Sequence, residues 1–208
     1  MKEDGRIKAY ATGTVYPCQT ALAARTLCYL GHAKDARLAK TYEYFLGNRH
    51  TDGGWRCNAS KFGHGPETKC SNPGPTLMIL DVFRFTPSLK SDRLDTAVEF
   101  LLRHWETKAP IGPCHYGIGH LFMQVEFPML RYNIFYYVYV LSFYDKAKRD
   151  PRFLEAFAAL SGKLVGGEMP VENPNRKLSD YNFCRKNSGS ELATRRYREI
   201  VKNIGERR

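Results

Sequence analysis

Two kinds of apolar segment alternate along this chain, and that alternation restricts its fold more than any other feature. Three segments are apolar nearly all round: 20–30 (TALAARTLCYL), 76–85 (TLMILDVFRF) and 127–144. Three others carry a single apolar stripe at helical spacing. Leu38, Ala39, Tyr42, Phe45 and Leu46 form the stripe of 35–47, and Leu94, Ala97, Val98, Leu101, Leu102 and Trp105 that of 92–105. Phe153, Leu154, Phe157 and Ala158 form the third, after an Asp150-Pro151 helix start. A helix apolar on every face is enclosed by neighbours, whereas a striped helix keeps a wet side. Enclosed and striped segments taking turns predict inner helices flanking an axis, with outer helices wrapped around them. The striped helices begin near 35, 92 and 150, a period of about 57 residues.

Glycine-rich turns recur with the same period. Asp52-Gly53-Gly54-Trp55, Pro110-Ile111-Gly112 and Gly166-Gly167-Glu168-Met169 each follow a striped helix, and Asp4-Gly5-Arg6-Ile7 is the same turn ahead of the first enclosed segment. Glycine lets the chain leave a helix through positive φ and pass close to its neighbour. The large apolar residue that follows, Trp55 above all, folds back as a plug. The predicted fold class is all-α, with about three inner/outer helix pairs and a C-terminal helix over 190–204. One helical-repeat domain is expected over 1–208, with repeats at roughly 14–57, 70–112 and 126–169, then a C-terminal loop and helix at 173–204.

Composition narrows the functional classes. A net charge of +11 would attract nucleic acid, anionic lipid or a pyrophosphate, or would simply solvate the surface. No basic block is interleaved with aromatics, and no helix-turn-helix or finger spacing occurs, so nucleic acid is not an expected partner. Lys2, Glu3, Asp4 and Arg6 leave no apolar signal region at the start. Arg131 and Asn133 inside 127–144 argue against a transmembrane segment there. With six cysteines and no export signal, reduced thiols in the cytoplasm are the expectation.

The striped helix ending in Tyr42, Tyr44, Phe45 and Leu46, followed by Asp52-Gly53-Gly54-Trp55, resembles the QW-type repeat. That repeat marks the terpenoid cyclase and protein prenyltransferase superfamily, which includes the squalene cyclases. The layout is similar over nearly the whole chain, and the specific motif over about 36–57. The resemblance implies a partial α/α toroid whose inner helices surround a cavity for an isoprenoid or other apolar small molecule. Tyr132 and Tyr136, with Phe135, Tyr139 and Phe143, would suit its wall. It also implies that two copies complete the ring, as a homodimer, or that an N-terminal half is missing. The family's catalytic signatures are not carried over. Asp-x-Asp-Asp, Asp-Asp-x-x-Asp and the zinc-binding Asp-x-Cys are all absent, so the reaction is unassigned.

Cysteine and histidine gather in the segments that follow the turns. A non-catalytic scaffold for a protein partner is the second functional reading. Cys57, Cys70, Cys114 and His115 supply thiolate and imidazole ligands of the kind zinc takes, which makes a zinc enzyme the third. Small buried cysteines are the alternative to that site. Arg131 would either hold a substrate anion or pair with Glu126 or Asp81, because an unpaired buried charge is costly. Asp81 would be either an acid at the cavity or the partner of Arg84.

Overall fold

The polypeptide is described here by a computed structural model covering residues 1–8, 12–57, 59, 62–89 and 94–206. Helices, short helical turns and isolated bridges are the regular structure among these residues, so the all-α expectation holds. They form two units, Met1–His104 with Ala109–Gly117, and Trp105–Lys108 with Ile118–Arg208.

The first unit holds α1 (Pro17–Leu27), α2 (Ala36–Gly47), α3 (Pro73–Phe83) and most of α4 (Asp95–Thr107). Pro17 and Pro73 occupy the first helical positions of α1 and α3, where their fixed φ suits the helix and no N–H is missed. The Asp35 side chain caps α2 by accepting from the Arg37 N–H at 2.9 Å. Leu38, Thr41, Tyr42 and Phe45 are the buried stripe of α2, while Ala39 faces solvent. All six predicted stripe residues of α4 are buried, and the expected start at Asp92 lies outside the described residues. α3 is enclosed as expected, with every residue but Met78 buried. α1 is not. It packs on α3 and buries Thr20, Ala21 and Ala24, but Leu22 is 43% exposed. The expected helix through Leu30 stops at Leu27, and a π-type turn over Cys28–His32 ends at Gly31 with φ 91°.

The second unit holds α5 (Ile134–Leu141), α6 (Asp145–Lys148), α7 (Pro151–Ser161) and α8 (Glu191–Gly205). The predicted helix over 127–144 shrinks to α5. Asn133 is extended, and its side chain accepts from the Tyr136 N–H at 3.0 Å, so the helix starts there and the preceding residues form a loop. Every residue of α5 is wholly buried. α7 is capped by Asp150 ahead of Pro151, as expected, but its buried face is Phe153, Ala156 and Leu160, which turns Leu154 out to solvent. α5 packs on both α7 and α8.

One hydrogen bond recurs at the same place in three repeats. The backbone N–H of Ile7 donates to Thr20 Oγ1 at 3.2 Å, that of Trp55 to Thr76 Oγ1 at 3.1 Å, and that of Met169 to Thr194 Oγ1 at 2.9 Å. Each donor ends a turn containing a positive-φ glycine (Gly5, Gly53, Gly167), and each acceptor is the fourth residue of the next helix. The residues capping α1, α3, α5 and α8 are Tyr16, Asn72, Asn133 and Ser190, about 56 to 61 residues apart. α8 therefore stands at the enclosed-helix position of a further repeat, which the sequence reading had set outside the series. At Gly53 the glycine is required. Its φ is +97°, and a Cβ there would stand 2.5 Å from the Thr96 carbonyl oxygen of α4. Among the described residues no helix is long and apolar enough to cross a membrane.

Candidate functional site

Asn72 organises a thiol-rich site in the first unit. A residue in its position normally caps a helix by accepting from the N–H of the second or third helical residue. Here the third residue is Pro75, which has no N–H, and the Asn72 side chain makes no capping bond. It reaches instead to a neighbouring loop, where Oδ1 accepts from the Cys114 N–H at 3.0 Å. The Asn72 backbone N–H donates to the Trp55 carbonyl at 2.9 Å, two residues before Cys57. One buried residue thus clamps the segment carrying Cys57 to the loop carrying Cys114. Gly112 makes the approach feasible, because a Cβ there would strike Asn72 Oδ1 and stand 2.6 Å from the Ser71 carbonyl oxygen. The loop is closed on itself by Ile111 and Tyr116, whose backbones exchange hydrogen bonds of 2.9 and 3.0 Å.

Three cysteines lie near this clamp. Cys57 is buried, Cys114 and Cys18 are partly accessible, and all three are free thiols. Burial pushes the Cys114 thiol up to about 11, and the adjacent Cys57 sulfur adds to the effect. Cys18 is raised in the same way, by burial first and then by Cys57. The Tyr116 hydroxyl is raised to about 12 by burial and then by the three sulfurs. At neutral pH Cys114 and Tyr116 are therefore protonated and uncharged, and the surface they present is soft and polarisable. Asn72 Nδ2 is buried and has no hydrogen-bond partner, and the Asn72 side chain favours the ionised form of the Cys114 thiol.

The four expected zinc ligands are not brought together. Cys57 and Cys114 are neighbours, but Cys70 has Asp52, Glu67, Arg103 and Arg56 for its charged surroundings. His115, at φ 53°, places Nε2 3.0 Å from Glu67 Oε1. That contact is the main reason the Glu67 carboxyl lies below its usual range. Among the described residues no group of three or more His, Cys, Asp or Glu side chains is placed to hold one metal ion.

The other candidates have mostly found protein partners. Asp81 is fully enclosed, and Arg25 Nε lies 2.7 Å from its Oδ2 while Arg84 Nε lies 2.5 Å from its Oδ1. Tyr29 OH donates to the same carboxylate at 3.2 Å. The predicted Asp81–Arg84 pair is thus part of a larger ion cluster, closed by the Arg84 guanidinium over Phe85 at 4.1 Å. Arg131 pairs with Glu126, Nε to Oε2 at 2.5 Å, with its own side chain 59% exposed. Glu126 is buried and its Oε1 is without a partner; burial raises its carboxyl, against the pull of Arg131. Tyr132 sits in the loop before α5 and packs on Phe122 at 4.8 Å. Tyr136 has no exposed surface, so a ligand would reach it only if the core opened. A cavity of about 330 Å³ lies elsewhere, lined in part by Ile7, Leu27, His32, Asp35 and Leu38.

Sequence reasoning missed Cys18, Asn72 and Tyr116 as members of one site. One signal was available: in Asn72-Pro73-Gly74-Pro75 the third-position capping donor is deleted and only the Gly74 N–H remains for the asparagine to cap. No protein-family model matches this chain, and neither curated proteins nor solved structures yielded a match.

Proposed function

We propose that this chain is a terpenoid-cyclase- and prenyltransferase-like helical-repeat protein, built as part of an α/α toroid, that binds an isoprenoid or other apolar ligand beside Cys18, Cys114 and Tyr116. The recurrence of one turn-to-helix hydrogen bond at Thr20, Thr76 and Thr194 supports the repeat that this reading needs. The site's chemistry supports the ligand class. Protonated thiols and a protonated phenol present an uncharged, polarisable surface, which suits an apolar chain better than an anion. Native mass spectrometry on protein purified without denaturation, then titrated with farnesol, tests it. Binding that weakens in Tyr116→Ala is the expected result, and absence of farnesol binding by the folded chain overturns it.

A second reading, a non-catalytic scaffold for a protein partner, draws on one observation. Tyr136, Tyr137 and Tyr139 have no exposed surface, so the rings of α5 are packed core in this state. A folded protein that takes up no apolar ligand in the same titration favours the scaffold.

A further inference from the structure

We propose that Cys57 and Cys114 are a reversible dithiol–disulfide pair, a covalent modification site that links the segment after Trp55 to the loop before Tyr116. This goes beyond the ligand reading and does not depend on it. The two sulfurs are neighbours although 57 lies far from 114 in sequence, and their backbones are fixed on one residue. Asn72 N–H holds Trp55, and Asn72 Oδ1 holds the Cys114 N–H. A second pair of bonds binds the same loop to its surroundings, Gly112 N–H to the Glu67 carbonyl at 3.0 Å and Phe62 N–H to the Pro113 carbonyl at 2.7 Å. Loop closure, the usual entropic barrier to a long-range disulfide, is therefore already met in the reduced fold.

The two thiols differ in access, which sets the order of events. Cys114 is partly exposed and Cys57 is buried, so an external disulfide such as oxidised glutathione meets Cys114 first. The Cys114 thiol loses its proton to solvent, and the thiolate attacks one sulfur of the glutathione disulfide, releasing one glutathione thiolate. The buried Asn72 side chain beside Cys114 favours the charged form of that sulfur. Cys57, once deprotonated, attacks the Cys114 sulfur of the mixed disulfide and releases the second glutathione. Two protein thiols are oxidised to one disulfide, and one glutathione disulfide is reduced to two thiols.

The test uses the intact chain, incubated with oxidised glutathione under native conditions and then alkylated. The expected product is about 2 Da lighter than the reduced protein before alkylation, retains about four of its six titratable thiols, and gives a Cys57–Cys114 peptide on non-reducing digestion. Dithiothreitol should restore all six. The rate should climb about tenfold per pH unit across neutral pH, since only the thiolate attacks. Cys18→Ser should leave the link intact, and Cys114→Ser should abolish it. In Cys57→Ser the reaction should stop at a glutathione adduct on Cys114, which keeps the proposal testable should Cys114→Ser fail to fold. A wild-type protein that keeps six thiols, that stops at glutathione adducts, or that links Cys18 to Cys57 overturns the proposal.

Discussion

Replacing Thr76 with valine removes one hydrogen-bond acceptor and almost nothing else, so its cost measures the repeated turn-to-helix bond. Thr76 is fully buried and Trp55 is 3% exposed, so water cannot replace the hydroxyl that accepts from the Trp55 N–H. A buried donor left unsatisfied costs about 1–3 kcal/mol. Valine matches threonine in shape and adds a methyl in place of the hydroxyl, so little is lost in packing. The same change at Thr20 should cost less than about 1 kcal/mol, because Ile7 is only half-buried and solvent can take over its N–H. Thr194→Val should fall with Thr76, since Met169 is wholly buried and Thr194 Oγ1 also donates to the Ser190 carbonyl at 2.8 Å. Urea unfolding followed by circular dichroism supplies the free energies. Hydrogen exchange at the Trp55 amide reads the bond directly, and a loss of this size should speed it about 5- to 150-fold. If Thr76→Val costs no more than Thr20→Val and the Trp55 amide stays equally protected, the bond does not hold the turn and the reasoning fails.

Three further outcomes are expected. Gly53→Ala should cost more than about 2 kcal/mol, because φ of +97° strains any side chain and the new Cβ would meet the Thr96 carbonyl oxygen; a thermal melt measures it. Asp81→Asn leaves the Arg25 and Arg84 guanidiniums without their shared carboxylate in a nearly buried place, and the loss should be about 3–5 kcal/mol in urea unfolding. Burial lowers the pKa of His104 below 6.5, while its Nε2 lies 3.1 Å from the Ala109 carbonyl. The unfolded chain then takes up the proton first, so this contribution to stability is full above pH 6.5 and is lost as the pH falls below it; His104→Gln should flatten that part of a stability–pH profile.

Much of the fold was legible because the signals were local. The α2 and α4 stripes, the Asp150-Pro151 start and the glycine turns each depend on residues within a few positions of one another, and each lies where its spacing predicts. Errors arose where apolar content was read as continuous helix. The run at 127–144 is mostly apolar, but Pro128 has no N–H and Asn133 offers its side chain to the helix start, so α5 covers only 134–141. α1 looked enclosed from its alanines and leucines, yet it packs on one side only and leaves Leu22 in solvent. Composition alone cannot tell an enclosed helix from a half-buried one when no neighbour is known. The turn-to-helix bond was hidden for another reason. Threonine at the fourth helical position has no special propensity, and its role emerges only once the preceding turn folds back on it.

The thiol site lies where the repeat departs from its own rule. Ile7, Trp55 and Met169, each two residues past a positive-φ glycine, give their backbone N–H to a helix threonine, but in the loop after Ile111 the matching residue, Cys114, gives its N–H to Asn72 Oδ1. That loop is therefore not pinned to a helix start by the repeated bond. Gly112 lets it settle on Asn72, whose side chain makes no capping bond to α3. Two local exceptions, one in the turn and one in the cap, together carry Cys114 to Cys57. A side chain at position 112 would push the loop off Asn72 and the Ser71 carbonyl. Departures from local consistency concentrate where a chain does something besides fold. On that argument the loop after Ile111, rather than the better-formed Asp52-Gly53-Gly54-Trp55 turn, is where this chain's chemistry should be sought.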